Sequence, residues 1–257
     1  MTLAWDESSP APGLLAEGGA LDVASLCKAY RLGIFPWFSQ GQPILWWSPD
    51  PRMVLQTSRF RLHPSMRKTI QKINRTPGLE VRVDTAFEQV INACARRVPV
   101  SQNPVGTVDG ADDQDGHGTW ILPSMVRAYT ALHHAGFAHS VETWVGDQLV
   151  GGLYCVAIGK AVFGESMFSH RTDASKIALA ALVAFCRTHG IQHIDCQQNT
   201  QHLASLGAAQ MPRTDFLAAI TQAQALPSPL WKFDTLYWQN LLQKPAAPAP
   251  TTTRPAL

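Results

Sequence analysis

Between Ser140 and Gly190 the chain leaves itself little conformational choice. Ser140–Val145, Gln148–Ile158 and Ala161–Ser169 read as three strands. Gly146-Asp147 joins the first two and Gly159-Lys160 the second and third. Two-residue connections of this kind permit antiparallel pairing only, so the three strands form a meander. Ala174–Thr188 then reads as an almost wholly apolar helix closed by Gly190, and such a helix must be covered on nearly every side. A strand at Gln192–Gln197, a short helix at Gln201–Gly207 and a last helix at Thr214–Ala223 come next. A meander followed by helix, strand and helix indicates an α+β domain.

The preceding half is less regular. Residues 6–20 are rich in Pro, Gly, Ser and Ala and read as a mostly irregular leader. Leu21–Leu32 has helical spacing, with Val23, Leu26, Cys27 and Tyr30 on one side, and stops at Gly33. Ile34-Phe35-Pro36-Trp37-Phe38 and Ile44–Arg52 crowd three tryptophans and three prolines into stiff extended or turn segments. Met53–Leu55 and Val81–Val83 read as strands, Ser65–Asn74 and Thr85–Ala95 as helices, and Leu122–Ala135 as a helix ending at Gly136. Residues 98–118 interleave Pro and Gly with Asp109, Asp112, Asp113 and Asp115, which favours a flexible loop. The spaced ligands and terminal Glu of a calcium loop are missing there. The segment beyond Gln243 has the composition of a disordered tail.

Composition narrows the class. Apolar residues are 46% of the 257 and charged residues 16%, which excludes an acidic disordered chain. No apolar run reaches the length of about 18 residues that a membrane span needs. Met1–Glu7 lacks a basic region followed by an apolar stretch, so no signal peptide is read. Five dispersed cysteines without C-x-x-C spacing argue against a disulfide framework or zinc site and fit the cytoplasm. The net charge of +2 is unevenly spread: Arg52–Arg82 carries +7 and the remainder −5. Such a stretch is either a solvated helix face or the docking place of a polyanion.

Chemistry concentrates in a few places. Gly164-Glu165-Ser166-Met167-Phe168-Ser169 sets one carboxylate in an apolar strand, and strict alternation puts Phe163, Glu165 and Met167 on one face. Such a carboxylate either sits at the solvent boundary or meets a cation. In Ile194-Asp195-Cys196-Gln197 the carboxylate and carboxamide share a face, forming an acceptor line that can orient an amine and take its proton. Alternatively Asp195 is a helix cap, although Asn199 and Thr200 are better placed for that. Trp37, Trp46, Trp47 and Trp120 are core residues or base-stacking platforms, and Trp37 and Trp120 are the better stacking candidates. No histidine pair has metal-ligand spacing, and neither a nucleophile elbow nor a Walker loop occurs.

Eight stretches in order resemble the leucyl/phenylalanyl-tRNA–protein transferase family, from about Gly13 through Phe216. They are Gly33–Phe38, Leu45–Arg52, Gly118–Ile121, Ala138–Glu142, Leu149–Tyr154, Gly164–Ser169, Ala174–Lys176 and Ile194–Gln197. The resemblance implies an acetyltransferase-like (GNAT) catalytic domain at 63–243 behind a smaller N-terminal α+β domain at 1–62. It implies transfer of Leu, Phe and less readily Met from aminoacyl-tRNA to proteins beginning with Arg or Lys, marking them for degradation, by a cytoplasmic monomer. Asp195 would be the base or amine-orienting carboxylate, Gln197 its relay or positioning partner, and Glu165 would meet the acceptor's basic end. Trp37 and Trp120 would hold the 3′-terminal adenosine, and Arg59, Arg67, Lys68 and Lys72 the acceptor stem. An apolar amino-acid pocket lined by Leu153, Met167, Leu179, Leu182 and Cys186 is set against ordinary core. Leu182 and Cys186 stand where aromatic residues are expected in relatives. No metal or cofactor is expected, since the aminoacyl ester is already activated. Two other readings compete: an acyl-coenzyme A N-acetyltransferase, disfavoured by Ala174 and Ser175 where a phosphate cradle wants glycines, and a non-catalytic tRNA-binding module.

Overall fold

A computed structural model of the chain describes residues 12–73, 75–96 and 121–243. The loop expected at 98–118, Trp120 and the tail beyond residue 243 lie outside these residues. The leader is not wholly irregular: β1 (Leu14–Glu17) pairs along one edge of a small antiparallel sheet. Next comes α1 (Val23–Arg31), whose first turn is capped by the Asp22 carboxylate accepting the Ser25 N–H at 2.7 Å. The stiff segments after it supply β2 (Phe35–Pro36) and β3 (Leu45–Trp47), and the small sheet runs β1–β3–β2. Its tryptophans bond to nearby carbonyls: Trp46 Nε1 donates to Gly18 O at 2.9 Å and Trp47 Nε1 to Trp37 O at 2.7 Å.

The chain then enters a larger sheet. β4 (Arg52–Gln56), a 3-10 turn at Thr57–Arg59, α2 (Pro64–Ile73), β5 (Leu79–Val83) and α3 (Phe87–Ala95) complete the first part. α4 (Pro123–His134), β6 (Ala138–Val145), β7 (Gln148–Ile158), β8 (Ala161–Ser169) and α5 (Ala174–Thr188) come next. β9 (His193–Gln197), α6 (Gln201–Ser205), β10 (Ala209–Met211), α7 (Arg213–Gln224) and α8 (Tyr237–Leu242) finish it. The seven-stranded order is β10–β4–β9–β8–β7–β6–β5, parallel only between β8 and β9. The architecture is α+β, with the meander of β6, β7 and β8 at its centre. β4, which precedes residue 62, is hydrogen-bonded inside this large sheet.

Two cores flank the sheet. On one face α5 buries eleven residues against β6 and β7 on one side and α8 on the other, which is why its sequence is apolar almost all round. Its approach is close: a Cβ on Gly151 would lie 2.5 Å from the Ala174 Cβ and 2.8 Å from the Ala174 carbonyl carbon. α8 was not expected from sequence, because only Trp238 and Leu241 of its six residues are buried. On the opposite face Leu26 and Tyr30 of α1 join residues of α3, α4 and α7 in the second core.

The alternation expected for β8 breaks in the middle. Tyr154 pairs with Ser166 and Cys155 with Gly164, leaving Glu165 as an extra residue in a β-bulge. A bulge reverses the parity of every residue after it on the strand. Phe163 therefore packs in the core toward α1 and α4, whereas Met167 packs on the α5 side and Phe168 returns to the first. The placement of Phe163, Glu165 and Met167 on one face is thus corrected.

Candidate active site

β8 and β9 pair at Val162–Ile194 and Phe163–Asp195, and their ladder extends no further. The bulged Glu165 and the end of β9 sit beyond this last rung, and Gln197 spans the opening. Its Nε2 donates to Glu165 Oε1 at 2.9 Å. β9 has an irregularity of its own: Asp195 pairs with Val54 and Gln197 with Met53, leaving Cys196 as the extra residue. Gln197 takes a left-handed φ of 61°, which strains a residue bearing a Cβ. Its own N–H bonds the Asp195 Oδ1 at 2.9 Å and holds that conformation.

Glu165 is ringed by phenols. Tyr30 of α1 donates to Oε1 at 2.7 Å and Tyr129 of α4 to Oε2 at 3.2 Å, while the two hydroxyls lie 2.5 Å apart. Packing by protein pushes the Glu165 carboxyl up to about 8, against the hydrogen bonds from Tyr30 and Tyr129 and with added repulsion from Asp195. Burial also holds both phenols far above the ordinary tyrosine range, so they remain donors at any working pH. The Glu165 residue as a whole is half-buried.

Asp195 is placed differently. It is 1% exposed, and its two oxygens accept the Nε and Nη2 of Arg52 at 2.8 and 2.6 Å. Arg52 is fully buried between the rings of Phe35 and Phe216, 4.8 and 4.7 Å from their centroids. With Gln197 N–H as a third donor, Asp195 is a saturated carboxylate that orients its neighbours. Arg52, Tyr30 and Tyr129 were not singled out as site residues from sequence. Arg52 was counted with the surface charge and Tyr30 with a helix face. The available signal was chemical: a carboxylate in an apolar strand needs donors, and buried phenols at helical core spacing can supply them.

The other expected residues divide. Trp37 is half-buried, its ring 5.7 Å from that of Trp47, while Trp46 is buried. Leu153, Leu179, Leu182 and Cys186 meet in the core beneath α5 with Met167 packed against them. Of these, Leu179 lines a cavity of 230 Å³ shared with Lys176, His63 and His202. The basic stretch is less exposed than its charge suggests. Arg52 is buried, Arg67 donates to Leu242 O at 2.7 Å, and Arg82 pairs with Glu80 over the Trp144 ring. Arg59, Lys68 and Lys72 remain exposed.

The loop entering α5 offers little to a pyrophosphate. Ala174 N–H bonds Arg171 O at 3.1 Å, and Ser175 N–H meets the Ser169 hydroxyl at 3.3 Å. Among the described residues no group of three His, Cys, Asp or Glu could hold a metal ion, and no helix is long and apolar enough to cross a membrane.

Residues 54–221 match the leucyl/phenylalanyl-tRNA protein transferase family and residues 19–50 match that family's N-terminal domain. A leucyl/phenylalanyl-tRNA–protein transferase of Albidiferax ferrireducens is 59% identical over 93% of this chain and 89% of its own length. Those of a Polaromonas species and of Leptothrix cholodnii are 56% and 55% identical, over 96% and 97% of this chain and 92% and 93% of theirs. By this near full-length likeness the chain belongs to the leucyl/phenylalanyl-tRNA–protein transferase family.

Proposed function

We propose that this chain moves Leu or Phe, and less readily Met, from aminoacyl-tRNA to the α-amine of proteins beginning with Arg or Lys, so marking them for degradation in the cytoplasm, and that it works as a monomer. The observation that carries the reading is the Gln197 bridge between Glu165 and the Asp195 end of β9, in a chain of this family. The acyl ester is activated before it arrives, so the enzyme needs to supply geometry and a path for one proton. The acceptor α-amine has a pKa of about 7.7–8.0, leaving roughly a tenth or more unprotonated at neutral pH. Positioning is then the main service.

In this reading Glu165 receives the basic end of the acceptor. Arrival of a cation favours the ionised carboxylate, so acceptor binding releases a proton from a group poised near 8. Asp195 acts as an orienting carboxylate through Gln197, whose amide aligns Glu165 and the incoming amine. The half-buried Trp37, together with Trp120, holds the terminal adenosine. Arg59, Lys68 and Lys72 meet the acceptor stem, and Arg67 contributes with the guanidinium nitrogens that the Leu242 carbonyl does not take. The amino-acid side chain enters at Met167 and Leu179, with Leu182 and Cys186 deeper along the same helix face.

The test is transfer of labelled Phe from Phe-tRNA to a peptide beginning with Arg, beside an N-acetylated copy. Labelling of the free peptide alone is the expected result. No transfer, with tRNA still bound, would return the chain to a binding role.

A further inference from the structure

We propose that Arg52 is a positioning residue of the transfer reaction: from β4 it clamps Asp195, Asp195 holds the Gln197 backbone in its left-handed turn, and Gln197 is thereby fixed on Glu165. The inference rests on the transferase reading above. Each link of the chain is short: 2.8 and 2.6 Å from guanidinium to carboxylate, 2.9 Å from carboxylate to the Gln197 N–H, and 2.9 Å from the Gln197 amide to Glu165.

The site invests heavily in this pair. Removing a guanidinium from water is costly, and here it is enclosed completely. Phe35 from the small sheet and Phe216 from α7 cover its two faces. Its Nη1 has no hydrogen-bond partner among the described residues, so the fork is seated for Asp195 at the expense of a full complement of bonds. A Lys could carry the charge but not the two parallel bonds. Arg52 therefore does two separable things: it fixes the direction of Asp195, and it places a positive charge within reach of Glu165.

Those two roles give different signals. Among the described residues the charged and titratable groups coupled to Glu165 are Tyr30 on α1, Tyr129 on α4, Tyr154 and Cys155 on β7, Asp195 on β9 and Arg52 on β4. Asp195 disfavours the Glu165 anion and Arg52 favours it. Loss of the Arg52 charge moves the acidic limb of the pH–rate profile upward, and loss of the Asp195 charge moves it downward. The titration of the acceptor's amine is common to every variant and cancels in the comparison.

The experiment measures kcat, acceptor KM and the pH profile of kcat/KM for the wild type, Arg52→Lys, Arg52→Gln and Arg52→Gln/Asp195→Asn. Folded fraction is read from melting and tRNA binding. Arg52→Lys should lose about 100-fold in kcat, as a mispositioned catalytic group does, while its limb stays at the wild-type pH. Arg52→Gln should lose kcat and move the limb up, and the uncharged pair should bring the limb back. Arg52→Lys with wild-type kcat overturns the proposal. So does an Arg52→Gln whose activity falls only with its folded fraction and whose limb does not move. If Arg52→Gln does not fold, Arg52→Lys and the uncharged pair decide. A wild-type protein that transfers nothing defeats the transferase reading itself, whereas wild-type transfer with an indifferent Arg52→Lys defeats the role of Arg52 alone.

Discussion

At the scale of single residues, the site gives two carboxylates different surroundings. Asp195 accepts from Arg52 and from its own strand, whereas Glu165 is raised to about 8 chiefly by burial. Removing one partner of the buried pair strands the other charge. Asp195→Ala should cost about 3–5 kcal/mol in urea denaturation, and Asp195→Asn, which still accepts a bond, distinctly less. Glu165 works in the other direction. Its carboxyl titrates near 4.5 in the unfolded chain and near 8 in the folded one, so its contribution to stability is full below 4.5 and is lost as pH rises through 8. Glu165→Gln should accordingly melt higher relative to the wild type at pH 9 than at pH 5. The same substitution should remove the protein's share of the pH dependence of kcat/KM, leaving that of the acceptor amine. Sequence pointed to Glu165, Asp195 and Gln197 because carboxylates in apolar strands are conspicuous. It did not point to Arg52, because a buried arginine looks the same in a sequence as an exposed one. The motif Ala138–Glu142 also proves to be scaffolding: Glu142 is fully buried and accepts the Thr85 and Ala86 N–H groups, the Ser140 and Thr85 hydroxyls and the Trp144 indole.

At the scale of elements, the long hairpins and α5 were legible because their periodicity is strong and their turns carry glycine. The bulge at Glu165 was not, since one inserted residue leaves the hydrophobic pattern of β8 readable in either parity. Nor was β1, a four-residue strand whose partner lies some thirty residues away. The docking of α5 on β7 depends on the absence of a side chain at Gly151. Gly151→Ala should push the start of α5 off the sheet, lowering the melting temperature and transfer together, with a crystal structure or hydrogen exchange locating the opening at residues 169–176. Deeper on the same helix, Leu182 is 1% exposed. Leu182→Ala should cost about 2–5 kcal/mol in stability and, by deepening the proposed amino-acid pocket, raise the ratio of Phe to Leu transfer.

At the scale of the whole molecule, the charge asymmetry seen in the sequence survives folding in reduced form. Arg52, Arg67 and Arg82 serve the protein's own interior and edges, and the exposed Arg59, Lys68 and Lys72 are left for a polyanion. Alanine at each of the latter three should weaken tRNA binding and lower the slope of log K against log salt by about one unit per lost phosphate contact. Arg67→Ala should instead loosen α8, which Arg187 also ties down through Asn240 O. The division into a small leading domain and a large following one is blurred by β4, which carries Arg52 into the large sheet between β9 and β10. That interleaving has a consequence for synthesis on the ribosome. Tyr30 and Arg52 emerge more than a hundred residues before the carboxylates they serve, and Phe216 closes over Arg52 later still. A nascent or prematurely terminated chain therefore cannot assemble the site, and the protein becomes capable of altering other proteins' ends only once almost all of itself has been made.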